Sequence, residues 1–101
     1  MYLIQILIPL ADNSGVPFSA ETLQGIRLEL SERFGGLTAY TRAPAKGIWT
    51  SGAIEQTDDI VIVEVMTGDI EEDWWRGFRL RLEQLLRQKQ LVIRVQDIKL
   101  L

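Results

Sequence analysis

Two segments of this chain are apolar on both of their faces. Residues 3–10 read LIQILIPL and residues 59–67 read DIVIVEVMT. Aliphatic residues occupy odd and even positions in both, a pattern typical of strands buried on both sides of a sheet. Only two amphipathic helical segments are available, and two short helices cover one face of a small sheet. The sequence therefore predicts that something else covers the second face, and another copy of the chain is the simplest candidate.

The composition excludes several kinds of chemistry. The chain of 101 residues has no histidine and no cysteine. It therefore lacks the side chains of Ser–His–Asp and Cys–His sites, of thiol redox centres, of disulfides and of the usual zinc sites. Acid–base chemistry would depend on carboxylates, on the tyrosines or on a lysine with a perturbed pKa. We expect no cofactor and no metal ion.

Charge and hydropathy favour a globular protein. The chain is 47% hydrophobic with a net charge of −3, which predicts one domain over residues 1–101 and no nucleic-acid partner. No apolar run approaches the ~20 residues of a membrane-spanning helix. Asp12 closes the first apolar stretch, which has no basic flank, so we expect no signal peptide and a cytoplasmic location.

Both helices carry recognisable end signals. Ser19 is a good N-cap for the first helix, and Gly35-Gly36 is expected to end it in the left-handed conformation. Asp69 and Glu72 have the spacing of a capping box for the second helix. The first helix is expected to bury Leu23, Ile26, Leu30 and Phe34. The apolar arc of the second helix comprises Ile70, Trp74, Trp75, Phe78, Leu82, Leu85 and Leu86.

Strands are also predicted at residues 37–42 and 91–98, which gives the order βαββαβ. This order is typical of the α+β ferredoxin-like fold, a four-stranded antiparallel sheet with two helices on one face and the first and third strands in the middle. We expect the chain to dimerise through the other face, as a homodimer or a larger homo-oligomer. Residues 44–57 are the least regular. Their predicted hairpin tip at Ser51-Gly52 either extends the neighbouring strands or folds over the sheet.

Several short motifs carry a resemblance. These are FGGLTAY at 34–40, GIW at 47–49, a glycine at 52, DDIVIVEV at 58–65, and a last strand that follows a glutamine-rich turn. In these motifs the chain resembles small bacterial proteins of unknown function with a ferredoxin-like fold. The resemblance supports the fold and implies no activity and no catalytic residues.

Strand alternation sorts the side chains of the sheet. Alternate residues of the first and third strands, Ile4, Ile6, Ile8, Val61, Val63 and Val65, are expected to face the helices, and Leu91, Ile93 and Val95 to do so from the last strand. The opposite face then combines aliphatic surface with a few polar groups, as small-molecule sites do. The predicted ligand-binding residues are Gln5, Tyr40, Arg42, Trp49, Glu64 and Arg94.

Two of these residues have a structural alternative. Glu64 either lines a ligand site or pairs with an arginine at a dimer interface and fixes its register. Trp49 lies on a predicted loop, where it is either a ligand lid or a partner anchor, or it closes the end of the core or of the sheet face.

The sequence predicts a small-molecule-binding or assembly module of the bacterial cytoplasm. The alternative is a cofactor-independent oxygenase or isomerase of the dimeric α+β barrel type. Such an enzyme would depend on Tyr40, Arg42, Trp49, Glu64 and Arg94, and it rests on fold analogy.

Overall fold

The computed structural model describes residues 1–35 and 60–101 in full, and residues 38–51 and 54–59 by their backbone. The elements follow in the order β1 (Tyr2–Pro9), α1 (Ala20–Phe34), β2 (Thr38–Ser51), β3 (Ile54–Thr67), α2 (Glu72–Leu85) and β4 (Val92–Asp97). All strand pairs are antiparallel, and the hydrogen-bonded order is β2-β3-β1-β4. No helix in the described ranges is long and apolar enough to cross a membrane.

The α+β class is confirmed, but the predicted four-stranded ferredoxin-like βαββαβ sheet is wrong. The strands β3, β1 and β4 form a three-stranded antiparallel sheet, in which β1 pairs with β3 from Tyr2 to Pro9 and with β4 from Tyr2 to Leu7. The β2 strand runs beside this sheet for only three regular pairs, from Thr38 to Tyr40, before its register shifts. The structure is therefore a three-stranded sheet with a fourth strand joined over a short length.

Beyond the register shift, β2 and β3 continue as a two-stranded arm. Pairing resumes at Ala45 and runs to Ser51, opposite Ile54. Pro44 lies within the shift between Tyr40 and Ala45, where its missing N–H breaks no regular ladder. Of the two alternatives for residues 44–57, extension of the neighbouring strands is confirmed for 44–51 and 54–57, and the predicted turn at Ser51-Gly52 lies outside the described residues. The predicted strands at 37–42 and 59–67 were too short. Glycine and proline in this region lower the strand propensity, but pairing between the two strands outweighs that local preference.

The core lies between the sheet and the two helices. Its strand residues are Ile4, Ile6, Ile8, Val61, Val63, Val65 and Leu91, and its helix residues are Ile26, Leu30, Trp75, Phe78, Leu82 and Leu86. The predicted inward faces of β1 and β3 are therefore confirmed. In β4 the prediction fails at Val95, which is 46% exposed. The reason is that β4 is an edge strand bonded to β1 alone, and burial declines along it.

The ends of α1 agree with the sequence, whereas the start of α2 does not. The Ser19 hydroxyl accepts the Thr22 backbone N–H at 3.2 Å, and Gly35 ends the helix at φ 74°. The N-cap of α2 is Glu71, which makes no side-chain capping bond, so the predicted capping box of Asp69 and Glu72 is wrong. Leu85 belongs to the predicted apolar arc of α2 and is 57% exposed, so only part of that arc faces the core.

Candidate functional site

The side of the sheet opposite the helices, here the open face, carries one row of polar residues. Gln5 of β1 lies directly across from Glu64 of β3 on one side and from Arg94 of β4 on the other. Residues that pair directly on neighbouring antiparallel strands point to the same side of the sheet, so the three side chains share one face. The Gln5 Nε2 donates a hydrogen bond of 2.7 Å to Oε2 of Glu64. These three residues are the polar row.

Aliphatic residues border the polar row on both sides. On one side, Leu7 lies opposite Ile62 and Val92; on the other, Leu3 lies opposite Met66 and Gln96. Leu3, Leu7, Ile62 and Val92 are half-buried, whereas Met66 is 53% exposed. Neighbouring strands are ~4.8 Å apart, so this surface is a continuous apolar floor with hydrogen-bonding groups across its middle.

The polar row offers three different binding groups in a line. The Glu64 carboxylate can accept several hydrogen bonds, and the Gln5 donor occupies only part of that capacity. Arg94 is exposed and carries a planar set of donors. Because Glu64 and Arg94 are separated by the β1 strand, their backbones lie about 10 Å apart. The row can therefore contact a molecule that presents hydroxyl groups or a positive charge toward Glu64 and acceptors toward Arg94.

The structure brings three of the six predicted ligand residues together. These are Gln5, Glu64 and Arg94. Tyr40 has its register position opposite Ile62, next to the polar row. The side chains of Tyr40, Arg42 and Trp49 lie outside the described residues.

Trp49 is placed differently along the chain. Its register partner is Gln56, eight residues before Glu64 on β3, which corresponds to about 26 Å of extended strand. Within one chain the backbone of Trp49 is therefore on the distal arm, away from the polar row. A role for Trp49 as a lid or partner anchor stays a prediction.

One position in the row could not be found from the sequence pattern alone. Thr38 of β2 has its register position opposite Glu64, at the end of the polar row. Alternation places Thr38 and Tyr40 on one face, but which of them neighbours Glu64 depends on the register between β2 and β3. That register includes an irregularity after Tyr40, and no local signal in the sequence gives its position.

A second cluster joins the end of α1 to the start of α2. The Arg33 guanidinium donates to Oε2 of Glu71 at 2.7 Å and lies 4.1 Å from the ring centroid of Trp74. The Phe34 ring stacks on Trp75 at 5.2 Å. Trp75 is 5% exposed and belongs to the core, whereas Trp74 is half-buried at its margin. Arg33 is already paired and stacked, so this cluster fastens the helices together.

The fold resembles that of two solved structures of phage SAM lyase. One, in complex with S-methyl-5'-thioadenosine, aligns with a TM-score of 0.63 and 15% identity over 95% of this chain and 80% of that chain. The other, in the apo state, aligns with a TM-score of 0.67 and 14% identity over 94% of this chain and 78% of that chain. At these identities the likeness is one of fold. No family model and no curated protein matches the chain.

These comparisons support only part of the resemblance expected from the sequence motifs. They agree with a small α+β protein, and one of the neighbours holds a small molecule. The bacterial relatives expected from the sequence motifs stay a prediction.

Proposed function

We propose that this protein binds a small molecule of the nucleoside class on its open face, across the polar row. The observation that carries the proposal is the Gln5–Glu64 hydrogen bond in the middle of an aliphatic floor. A flat apolar surface with a few fixed polar groups suits a ligand that has a ring system and a hydroxylated or charged part. The fold neighbour in complex with S-methyl-5'-thioadenosine supports the choice of ligand class.

The chemistry of such a ligand matches the polar row. S-methyl-5'-thioadenosine has a purine ring, two ribose hydroxyls and an apolar methylthio group. The ring and the methylthio group would lie on aliphatic residues such as Leu7 and Ile62, and the hydroxyls would donate to the Glu64 carboxylate. A carboxylate is a recurrent acceptor for ribose hydroxyls in nucleotide sites. Gln5 would hold Glu64 in position through its existing bond.

Glu64 would also distinguish a charged ligand from a neutral one. S-adenosylmethionine carries a positive sulfonium, whereas S-methyl-5'-thioadenosine is uncharged at its sulfur. If the sulfonium lies near Glu64, a carboxylate at half-buried depth stabilises it more than bulk water would. We therefore expect the substitution Glu64→Gln to weaken binding of S-adenosylmethionine more than binding of S-methyl-5'-thioadenosine.

Isothermal titration calorimetry with both compounds tests the proposal. We expect measurable binding to the wild type, and about tenfold weaker binding of S-adenosylmethionine to Glu64→Gln. The control is Glu72→Gln, the same change on the exposed surface of α2, which should leave binding unchanged. The proposal is contradicted if neither compound binds, or if Glu64→Gln and Glu72→Gln lose the same affinity for S-adenosylmethionine.

A second candidate function is catalysis on S-adenosylmethionine. It is supported by the name of the two fold neighbours, phage SAM lyase, and by the presence of a carboxylate on the middle of the sheet. Incubation with S-adenosylmethionine, followed by chromatography, measures its loss relative to buffer. Turnover by the wild type that Glu64→Gln abolishes supports catalysis; binding without turnover supports the binding function alone.

A further inference from the structure

We propose that two copies of this chain pack open face against open face about a two-fold axis parallel to β1, with Glu64 of each copy facing Arg94 of the other. This inference concerns an interaction surface and goes beyond the proposed function, although both use the open face. The argument rests on the order of charges in the polar row and on the apolar residues beside it.

The polar row has a negative end and a positive end. Glu64 and Arg94 flank Gln5 at equal strand spacing on opposite sides of β1. Arg94 forms no ion pair with any residue whose side chain the structure describes. Two stacked sheets lie ~10 Å apart, a separation that long side chains from both faces can bridge. The polar row of a second copy is therefore complementary in charge if it is reversed, so that its Arg94 faces Glu64 and its Glu64 faces Arg94.

When the strands of the two stacked sheets are aligned, only one direction of the two-fold axis reverses the polar row in this way. A two-fold axis along β1 exchanges the β3 side with the β4 side, so each Glu64 faces an arginine and Gln5 faces Gln5. A two-fold axis across the strands leaves the sides unchanged and sets Glu64 against Glu64 and Arg94 against Arg94. Like charges in a desolvated interface oppose association. Charge therefore selects the axis along β1, close to the aligned arrangement that stacked sheets prefer.

The apolar residues agree with the same axis. Leu3 and Leu7 lie on β1, so each would meet its own counterpart on the axis. Ile62 and Val92 occupy equivalent positions on either side of Leu7, so each would meet the other. The interface is then isologous, as two-fold dimers require. It would cover half-buried aliphatic side chains together with Met66, which is 53% exposed in the single chain.

Charge reversal tests the pairing. Sedimentation measurements over the micromolar range should show a wild-type dimer. Glu64→Arg and Arg94→Glu should each weaken it by about tenfold or more, and the double variant should restore it, because the opposite charges again face each other. Arg79→Glu makes the same charge change as Arg94→Glu on the exposed side of α2 and should have no effect. Circular dichroism establishes that each variant is folded.

Cross-linking tests the axis independently. The chain has no cysteine, so a single introduced thiol reacts alone. With the axis along β1, Leu3→Cys should cross-link to itself across about 10 Å with a short bismaleimide. With the axis across the strands, position 3 would instead face position 7, and only a mixture of Leu3→Cys and Leu7→Cys would link. Met66→Cys lies off the axis and should not link to itself in either case.

The outcomes separate this inference from the proposed function. A monomeric wild type, or a dimer that the double reversal does not restore, overturns the proposed pairing. Self-linkage of Leu3→Cys with rescue by the double variant supports it. Ligand binding by a monomer would keep the proposed function and reject the interface. A dimer with the expected pattern and no ligand binding would keep the interface and reject the proposed function.

Discussion

Gln5 and Glu64 lie directly opposite each other on neighbouring strands, and the Gln5 amide donates a 2.7 Å hydrogen bond to the Glu64 carboxylate. The bond spans the middle of the sheet on the face that the helices leave uncovered. A half-buried carboxylate needs such a donor, because desolvation without a partner is costly. The pair therefore fixes the position of the charge on which the proposed site and the proposed interface both depend.

Loss of the Gln5 donor should destabilise the fold. We expect Gln5→Ala to lower the free energy of unfolding by about 1–2 kcal/mol, since the bond to a charged acceptor is lost. Urea denaturation at one fixed protein concentration measures it. A double-mutant cycle with Glu64→Ala should give a coupling of about 1 kcal/mol. Gln96→Ala, on the same face at an exposed position, is the control. A coupling near zero would show that the bond does not contribute to stability.

A charge on the helix side of β3 should be far more damaging than one on the open face. Val63 is 1% exposed and Met66 is 53% exposed. Val63→Asp places an unpaired charge in the core and should remove cooperative thermal unfolding, because the cost of several kcal/mol is a large part of a total of about 5–15 kcal/mol. Met66→Asp should still unfold cooperatively. A soluble Val63→Asp with a normal melting transition would refute the assignment of faces.

Two glycine substitutions should have opposite signs. Gly35 ends α1 at φ 74°, a conformation that costs other L-residues about 1–2 kcal/mol, so Gly35→Ala should destabilise. Gly77 lies within α2, where a Cβ would meet nothing within 4 Å. Gly77→Ala should therefore stabilise by about 0.5–1 kcal/mol. The two melting temperatures should move in opposite directions. A rise for both would be inconsistent with the left-handed end of α1.

Arg33 should contribute more to stability than the glutamate with which it pairs. Arg33→Ala removes both the ion pair with Glu71 and the stacking on Trp74, each worth up to about 1 kcal/mol at partly exposed sites. Glu71→Ala removes the ion pair and leaves the stacking in place. Chemical denaturation should rank the losses in that order, with Arg79→Ala near zero as the control. Equal losses for Arg33→Ala and Glu71→Ala would mean that the stacking on Trp74 contributes nothing.

Local pattern predicted the parts of the structure that depend on neighbouring residues. The ends of α1 follow from the hydroxyl of Ser19 and from the left-handed conformation that Gly35 adopts easily. The inward faces of β1 and β3 follow from period-two alternation. Gln5, Glu64 and Arg94 were placed on one face by the same alternation, and the register shows that they share one row.

Predictions from local sequence signals were wrong where tertiary contacts favour a different local conformation. Asp69 and Glu72 have the spacing of a capping box, yet α2 begins after Glu71. Pro44 and Gly47 predicted an irregular segment, yet pairing between β2 and β3 extends through Gly47 to Ser51. A helix cap or a strand propensity contributes about 1 kcal/mol. A few tertiary contacts can therefore outweigh these local preferences.

The sequence by itself determined which side chains of β1 and β3 are buried and where α1 begins and ends, because these depend on side-chain period and on residues within one turn. The tertiary structure alone decided which residues become neighbours across strands. It set Gln5 between Glu64 and Arg94, placed Trp49 on the distal arm, and limited the regular pairing of β2 beside the sheet to Thr38–Tyr40. Strand register depends on the contacts along whole strands and on the irregularity between Tyr40 and Ala45. These contacts involve residues far apart in the sequence, so local sequence patterns cannot predict the register.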